Sequence, residues 1–452
     1  MARGALIYHL TTNFIRRNSK FHIEGGLSMQ PIQGLCAIRG NLVYAPVLGE
    51  LTCIAGGYIL TRDGTVEGVF EKLPAGCPAE VINYGDSIIT PGFSDLHLHA
   101  PQFPMLGLGM DLQLLDWLRT YTYPTEARFG DPAYAKTVYC HLAKELIRRG
   151  TTRACVFSSM HREATLLLME ALEKEGVTGY VGKVNMDRNS VPELAETAEE
   201  SLRETRRLLE VCGRFSHVMP ILTPRFTPSC SDALMKGLGA LARENPHIPI
   251  QSHLSETLDE IAWVKELHPD CGQYWQTYAK YGLWQPRTLM AHCVYSDKAE
   301  RAAMKEAGVW AVHCPDSNTN IASGIAPLRK MLAEGLHVAL GSDIAGGAKL
   351  SMTDVATEAI RCSKLRWLQS GKTEDFLTVR EAFYLITTAG QAYFNAQPGF
   401  GLGEPLHAVV FNDQKFAYNP GLSLEERLER ILYLSDKSTI SAVYSAGRLA
   451  AI

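Results

Sequence analysis

From residue 89 onward the chain alternates short apolar runs with longer stretches of helical apolar spacing, and this alternation restricts its fold more than any other feature. The runs lie at 151–159 (TTRACVFSS), 179–186 (GYVGKVNM), 217–226 (HVMPILTPRF), 248–256 (IPIQSHLSE), 287–295 (RTLMAHCVY), 309–318 (VWAVHCPDSN) and 337–343 (HVALGSD). Between them lie helical stretches such as PAYAKTVYCHLAKELIRRG, which ends on Gly150, a residue suited to a helix C-cap, and REATLLLMEALEKEG. A long charged helix is read over 192–212. With the run that carries His97 and His99, the strands number eight, nearly all followed by a helix. Strand–helix alternation makes a parallel sheet, and eight such units predict an α/β fold with a (β/α)8 TIM-type barrel over 89–399. A doubly wound open sheet is the rival. No G-x-G-x-x-G opens a helix here, so dinucleotide binding loses its main support.

Short strands and turns flank the barrel segment. On one side are AIRGNLVYAP, CIAGGYILTRDGTVEGVF and EVINYGDSIITPG, with a hairpin signal at Arg62-Asp63-Gly64-Thr65. On the other, HAVVFNDQ, ERILYLSD and SAVYSAGRL read as strands. Residues 34–88 and 400–452 are expected to join as one small β-sandwich domain, since chain ends often lie close together. Residues 1–33 are then an N-terminal extension. Arg3, Arg16, Arg17 and Lys20 precede its first acidic residue, Glu24, which fits either a transit peptide or a chance extension ahead of Met29.

A chain of 452 residues suits a large barrel with an accessory domain, and 46% apolar with 20% charged residues is ordinary for a globular protein. The formal charge of −4 gives no electrostatic reason to bind nucleic acid or an anionic membrane. No apolar run reaches the roughly 20 residues needed to cross a bilayer. The eleven cysteines contain no C-x-x-C pair, which fits reduced thiols and a cytoplasmic protein.

Barrels of this kind carry their chemistry at the C-terminal ends of strands. Those ends hold His97 and His99, Arg225, His253, His292 and Asp343. His97 and His99 sit at i and i+2, so both imidazoles project from one strand face, which is half of a zinc site. His9, His22, His141, His247, His268 and His407 are expected at the surface, and His313 in a packing or supporting position.

The set H-x-H, a strand-five His, a strand-six His and a strand-eight Asp resembles the amidohydrolase superfamily, metal-dependent barrel hydrolases of amides, esters and amino-substituted heterocycles. The resemblance runs from about Cys36 to Leu449. Within the superfamily, HAPQF (99–103), YVGKVNMDR (180–188), ILTPRF (221–226), QSHLSE (251–256), MAHC (290–293), HCPDSN (313–318) and GSDIAGG (341–347) are similar to the motifs of the guanine deaminases. Binuclear members carry a bridging lysine on strand four. This chain has none there, and Lys183 on strand three reads as a salt bridge or loop contact.

The resemblance therefore implies one Zn2+ per chain, although iron tolerates the same ligands. His97, His99, His253 and Asp343 would hold it, with Asp343 also taking a proton from water. Glu256 would shuttle that proton to the ring nitrogen, and His292 would orient the nucleophile or polarise developing charge. Gln102 and Arg225 would hydrogen-bond the base and Phe226 would pack on its ring; His253, Glu256, His292 and Asp343 also border the substrate. The implied reaction is guanine plus water to xanthine plus ammonia, in purine salvage or catabolism, by a homodimer. The alternatives are an aminohydrolase for another amino-heterocycle (8-oxoguanine, a pterin or a triazine) and a non-catalytic scaffold relative. Residues 1–33 have no counterpart in the family pattern, and Asp316 stands in HCPDSN where an uncharged residue is more usual.

Overall fold

The computed structural model describes residues 29–451. The transit-peptide composition of residues 1–23 and the histidines His9 and His22 lie outside the described residues.

The hairpin signal is realised as written. Thr52–Arg62 and Thr65–Phe70 pair antiparallel with Arg62 opposite Thr65. Asp63 (φ 48°) and Gly64 (φ 79°) both take the left-handed conformation that a two-residue hairpin turn requires. A Cβ on Gly64 would also collide with the backbone of Gly447.

The flanking strands do join across the barrel segment, but as one eight-stranded sheet. Its order is Met29–Pro31, Arg448–Ala451, Ile440–Ser445, Ala408–Phe411, Glu80–Pro91, Leu35–Tyr44, Thr52–Arg62 and Thr65–Phe70. Met29 lies opposite Ala450, so the last residues of the expected extension already belong to the sheet. Backbone bonds between Val66 and residues 403–404 bring the edge strand back toward the segment before Ala408. The sheet thereby curls over a core containing Ile38, Leu42, Ile59, Ile89, Val410 and Tyr444. Successive residues of a strand face opposite ways. Ala408 and Val410 enter that small core, whereas Val409 and Phe411 enter the main one.

Two expected elements differ. The segment containing ERILYLSD is helical from Leu424 to Leu434, not a strand, because Ser423 and Glu426 form a capping box and Leu428, Ile431 and Leu432 share a buried face. The charged helix over 192–212 starts at Ala198. Pro192–Leu194 is a separate short turn, and Thr197 with Glu200 caps the helix proper.

The remaining strands are parallel. Phe93–His99, Thr151–Phe157, Thr178–Gly182 and Val218–Pro220 form one sheet. Ile250–Leu254, Thr288–His292, Trp310–His313 and His337–Leu340 form another, and Val184–Asn185 pairs with Thr223–Pro224. Leu222 bridges Ile250 at one seam. At the other, Asp343 N–H donates to His97 O at 2.8 Å and His99 N–H to Ile344 O at 3.0 Å. Helices such as Pro132–Arg148, Arg162–Lys174 and Asp232–Glu244 follow individual strands and bury one apolar face each. Short helical turns, Leu114–Trp117, Leu118–Thr122 and Tyr123–Ala127, lie between the His99 strand and its long helix.

Candidate active site

The strand Phe93–His99 is buried throughout. Its two-residue period sends His97 and His99 to one side, where Phe157 packs against both rings at centroid distances of 4.9 and 4.6 Å. His253 comes from Ile250–Leu254, and His292 is the last residue of Thr288–His292. Asp343 follows His337–Leu340. Backbone at these strand ends is left-handed at Ser255 (φ 49°), His292 (φ 71°), Cys293 (φ 50°) and Asp343 (φ 46°). Non-glycine residues hold that conformation only where the surroundings enforce it, and here it falls on His292 and Asp343, which line the site, and on their neighbours at the strand ends.

The donor atoms converge. Nε2 of His97 and of His99 lie 3.2 and 3.4 Å from Asp343 Oδ1, and His99 Nε2 lies 3.1 Å from His253 Nε2. His253 Nδ1–H donates to the carbonyl oxygen of Arg225 at 2.5 Å, which leaves a lone pair on Nε2 facing the cluster. His97 Nε2 is buried without a hydrogen-bond partner. Burial pushes the imidazoles of His97, His99 and His253 below their ordinary pKa, furthest for His99 and His253. They are thus held neutral, the state metal ligation requires. Burial works against an ionised Asp343, but His97, His292 and His99 prevail and hold its carboxyl well below the usual range. Three neutral imidazoles and one carboxylate fit a divalent zinc ion.

Glu256 and His292 stand beside this cluster. Burial raises the Glu256 carboxyl to about 7, with His292 pulling down and Glu260 pushing up. Burial opposes charge on His292, yet Glu256 and Asp343 outweigh it and raise its pKa. Nε2 of His292 lies 3.4 Å from Glu256 Oε2 and 3.7 Å from Asp343 Oδ2. Its Nδ1–H donates to Asn318 Oδ1 at 2.8 Å, fixing the ring.

A cavity opens over these groups, with Leu114, Trp117, Leu118 and Ile321 as apolar walls and Gln102, Arg225 and Phe226 among its other lining residues. Every site residue expected from the sequence therefore lies at this one cavity or in the donor cluster below it. Glu126, Ser323 and Asn318 were not anticipated. Glu126 accepts from both Gln102 and Arg225. Asn318 lies inside HCPDSN, the one sequence signal that could have flagged it.

Other expectations divide. Lys183 is buried and committed to a salt bridge, with Nζ 3.0 Å from each Glu196 oxygen. His141 and His247 are exposed, but His268 and His407 are buried, contrary to expectation. Arg188 donates to His268 Nε2 at 3.0 Å, and Ser445 Oγ lies 3.4 Å from His407 Nδ1. His313 is buried behind the cluster, and burial pushes its imidazole down to about 3. Asp316 accepts backbone N–H groups from Ala348 (2.6 Å) and Lys349 (3.2 Å), so its carboxylate ties down the loop after Asp343.

The amidohydrolase family matches residues 88–450. A guanine deaminase of Dictyostelium discoideum is 38% identical over 81% of this chain and 83% of its own length. That of Escherichia coli K12 is 34% identical over 92% and 97%. The crystal structure of guanine deaminase from C. acetobutylicum with bound guanine in the active site superposes with a TM-score of 0.89 at 43% identity, covering 92% of this chain and all of that one. Likeness on this scale, over nearly the whole length of these relatives, makes the chain a member of the amidohydrolase family, among its guanine deaminases.

Proposed function

We propose that this protein hydrolyses guanine to xanthine and ammonia. The observation that carries the reading is the meeting, at one cavity, of the His97–His99–His253–Asp343 donor cluster with Glu256 below and Gln102 and Arg225 on the wall. The relatives supply the substrate. Seven strands and the His97 strand are read as closing into a (β/α)8 barrel over 89–399, supported by the backbone bonds at both seams. The flanking segments 34–88 and 400–452 make the accessory β domain.

In this reading His97, His99, His253 and Asp343 would hold one zinc ion, which when bound would supply a Lewis acid to make water nucleophilic near neutral pH. Asp343, kept ionised, accepts the first proton as the water oxygen bonds to C2 of guanine. Glu256, near pH 7 in its titration, passes a proton to the adjacent ring nitrogen. As the C2–N bond breaks, the proton held by Asp343 goes to the amino nitrogen, Glu256 takes the remaining proton of the added hydroxyl as C2=O forms, and ammonia leaves. His292, oriented by Asn318, stabilises charge on the incoming oxygen. Phe226 and the apolar walls exclude bulk water. All eleven cysteines are free, which supports a reducing, cytoplasmic setting, and a homodimer is the assembly expected of the reading. Light scattering tests the dimer.

The deciding experiment is ammonia release by metal-analysed protein against guanine, adenine, cytosine and 8-oxoguanine. Turnover of guanine with about one zinc per chain supports reaction, substrate and metal together. Full zinc with no guanine turnover, or preference for another base, overturns the substrate.

A further inference from the structure

Glu126 takes no part in the roles above, yet it is 3% exposed and both its oxygens are engaged. Oε1 accepts from Gln102 Nε2 at 2.9 Å and Oε2 from Arg225 Nη1 at 2.6 Å. The two partners come from distant parts of the chain, Gln102 from the turn after His99 and Arg225 from the segment after Thr223–Pro224. Tyr123, on the same short helix as Glu126, sets its ring 5.5 Å from the Arg225 guanidinium carbon.

A carboxylate accepts hydrogen bonds and donates none. Gln102 must therefore turn its NH2 group to Glu126. Its oxygen is engaged elsewhere, accepting from Ala345 N–H at 3.0 Å. Gln102 thus keeps an N–H to offer the cavity. Arg225 has only N–H groups to offer.

We infer that Glu126 is a specificity-positioning residue: by fixing Gln102 and Arg225 from behind, it makes this wall of the cavity present donors alone. Such a wall accepts purines with an oxygen at C6 and rejects those with an amino group there. The inference rests on the proposed function, because it assumes a purine in this cavity.

2,6-Diaminopurine tests it, being guanine with the C6 oxygen replaced by an amino group. In wild type, the inhibition constant of 2,6-diaminopurine should lie far above the KM for guanine. In Glu126→Gln the new amide can donate as well as accept, so Gln102 keeps only its Ala345 contact as an orienting bond and can turn its oxygen into the cavity at the cost of that one contact. The expected result is a guanine KM raised about tenfold or more with kcat little changed, and a ratio between the two purines that falls by a similar factor. An ion pair with a structural role only would weaken both purines alike, and an unchanged ratio in a folded, zinc-loaded variant overturns the inference. If Glu126→Gln does not fold, Arg225→Met and the double variant Glu126→Gln/Arg225→Met leave no buried charge in the double variant unpaired, and their comparison decides. A lower ratio in the double variant supports the inference, and equal ratios overturn it. Absence of guanine turnover in wild type would instead overturn the proposed function.

Discussion

Ser323 donates its hydroxyl to Oε1 of Glu256 at 2.9 Å, while the other oxygen of that carboxylate lies 3.4 Å from Nε2 of His292. One oxygen is anchored, and the other faces His292, available for the proton transfer proposed for Glu256. Glu256→Gln retains the size and the Ser323 contact but cannot carry a proton. Its kcat should fall by about 10²- to 10⁴-fold with zinc content unchanged. Zinc analysis beside steady-state rates checks this, and near-normal turnover would assign the proton to another group.

Arg225→Gln should raise the KM for guanine while zinc stays bound. It should also destabilise the fold, because Glu126 would remain buried without its cation. Removing one partner of a buried pair costs about 3–5 kcal/mol. Chemical denaturation with and without guanine separates the two effects. A normal KM would place Arg225 outside substrate recognition.

Lys183→Met is expected to act on stability alone. The ammonium is wholly enclosed and held by Glu196 and the carbonyl of Val184. Its loss leaves Glu196 nearly buried and unpaired, again about 3–5 kcal/mol. Metal stoichiometry should not change. A drop in bound zinc would mean that Lys183 supports a metal after all.

Acid stability should depend on His407. Burial, with Arg153 and His217 adding to it, holds this imidazole well below its ordinary pKa. The unfolded chain binds a proton here below about pH 6.5 and the folded chain does not. Stability is therefore full above that pH and declines as pH falls toward the folded pKa, by about 1.4 kcal/mol per pH unit from this group. Urea unfolding at pH 7.5 and 5.5 should show a smaller acid loss in His407→Gln than in wild type. Equal losses would show that His407 is protonated in the fold.

Legibility in the sequence followed the range of the interactions. The Asp63–Gly64 turn, the Gly150 cap (φ 78°) and the paired projection of His97 and His99 are local, and each could be read from a few neighbouring residues. The cluster was legible because strand ends carried its donor side chains. Capping boxes at Thr197 and Ser423 were also written locally, but apolar runs masked them. The burial of His268 and His407, and the position of Glu126, depend on partners far away in sequence: Arg188, Ser445, Gln102 and Arg225. A single chain read in order carries no signal for such meetings.

The eight-stranded sheet has a consequence for synthesis. Met29–Pro31 bonds to Arg448–Ala451, and Glu80–Pro91 bonds to Ala408–Phe411, so strands made early wait for strands made last. While the ribosome translates the intervening (β/α) segment, the edge of Glu80–Pro91 stays open, with Ile88 and Ile89 lacking their final neighbours. An unpaired apolar edge is a template for other chains. The emerging polypeptide is most vulnerable to aggregation during this interval, which ends only when its final strands arrive.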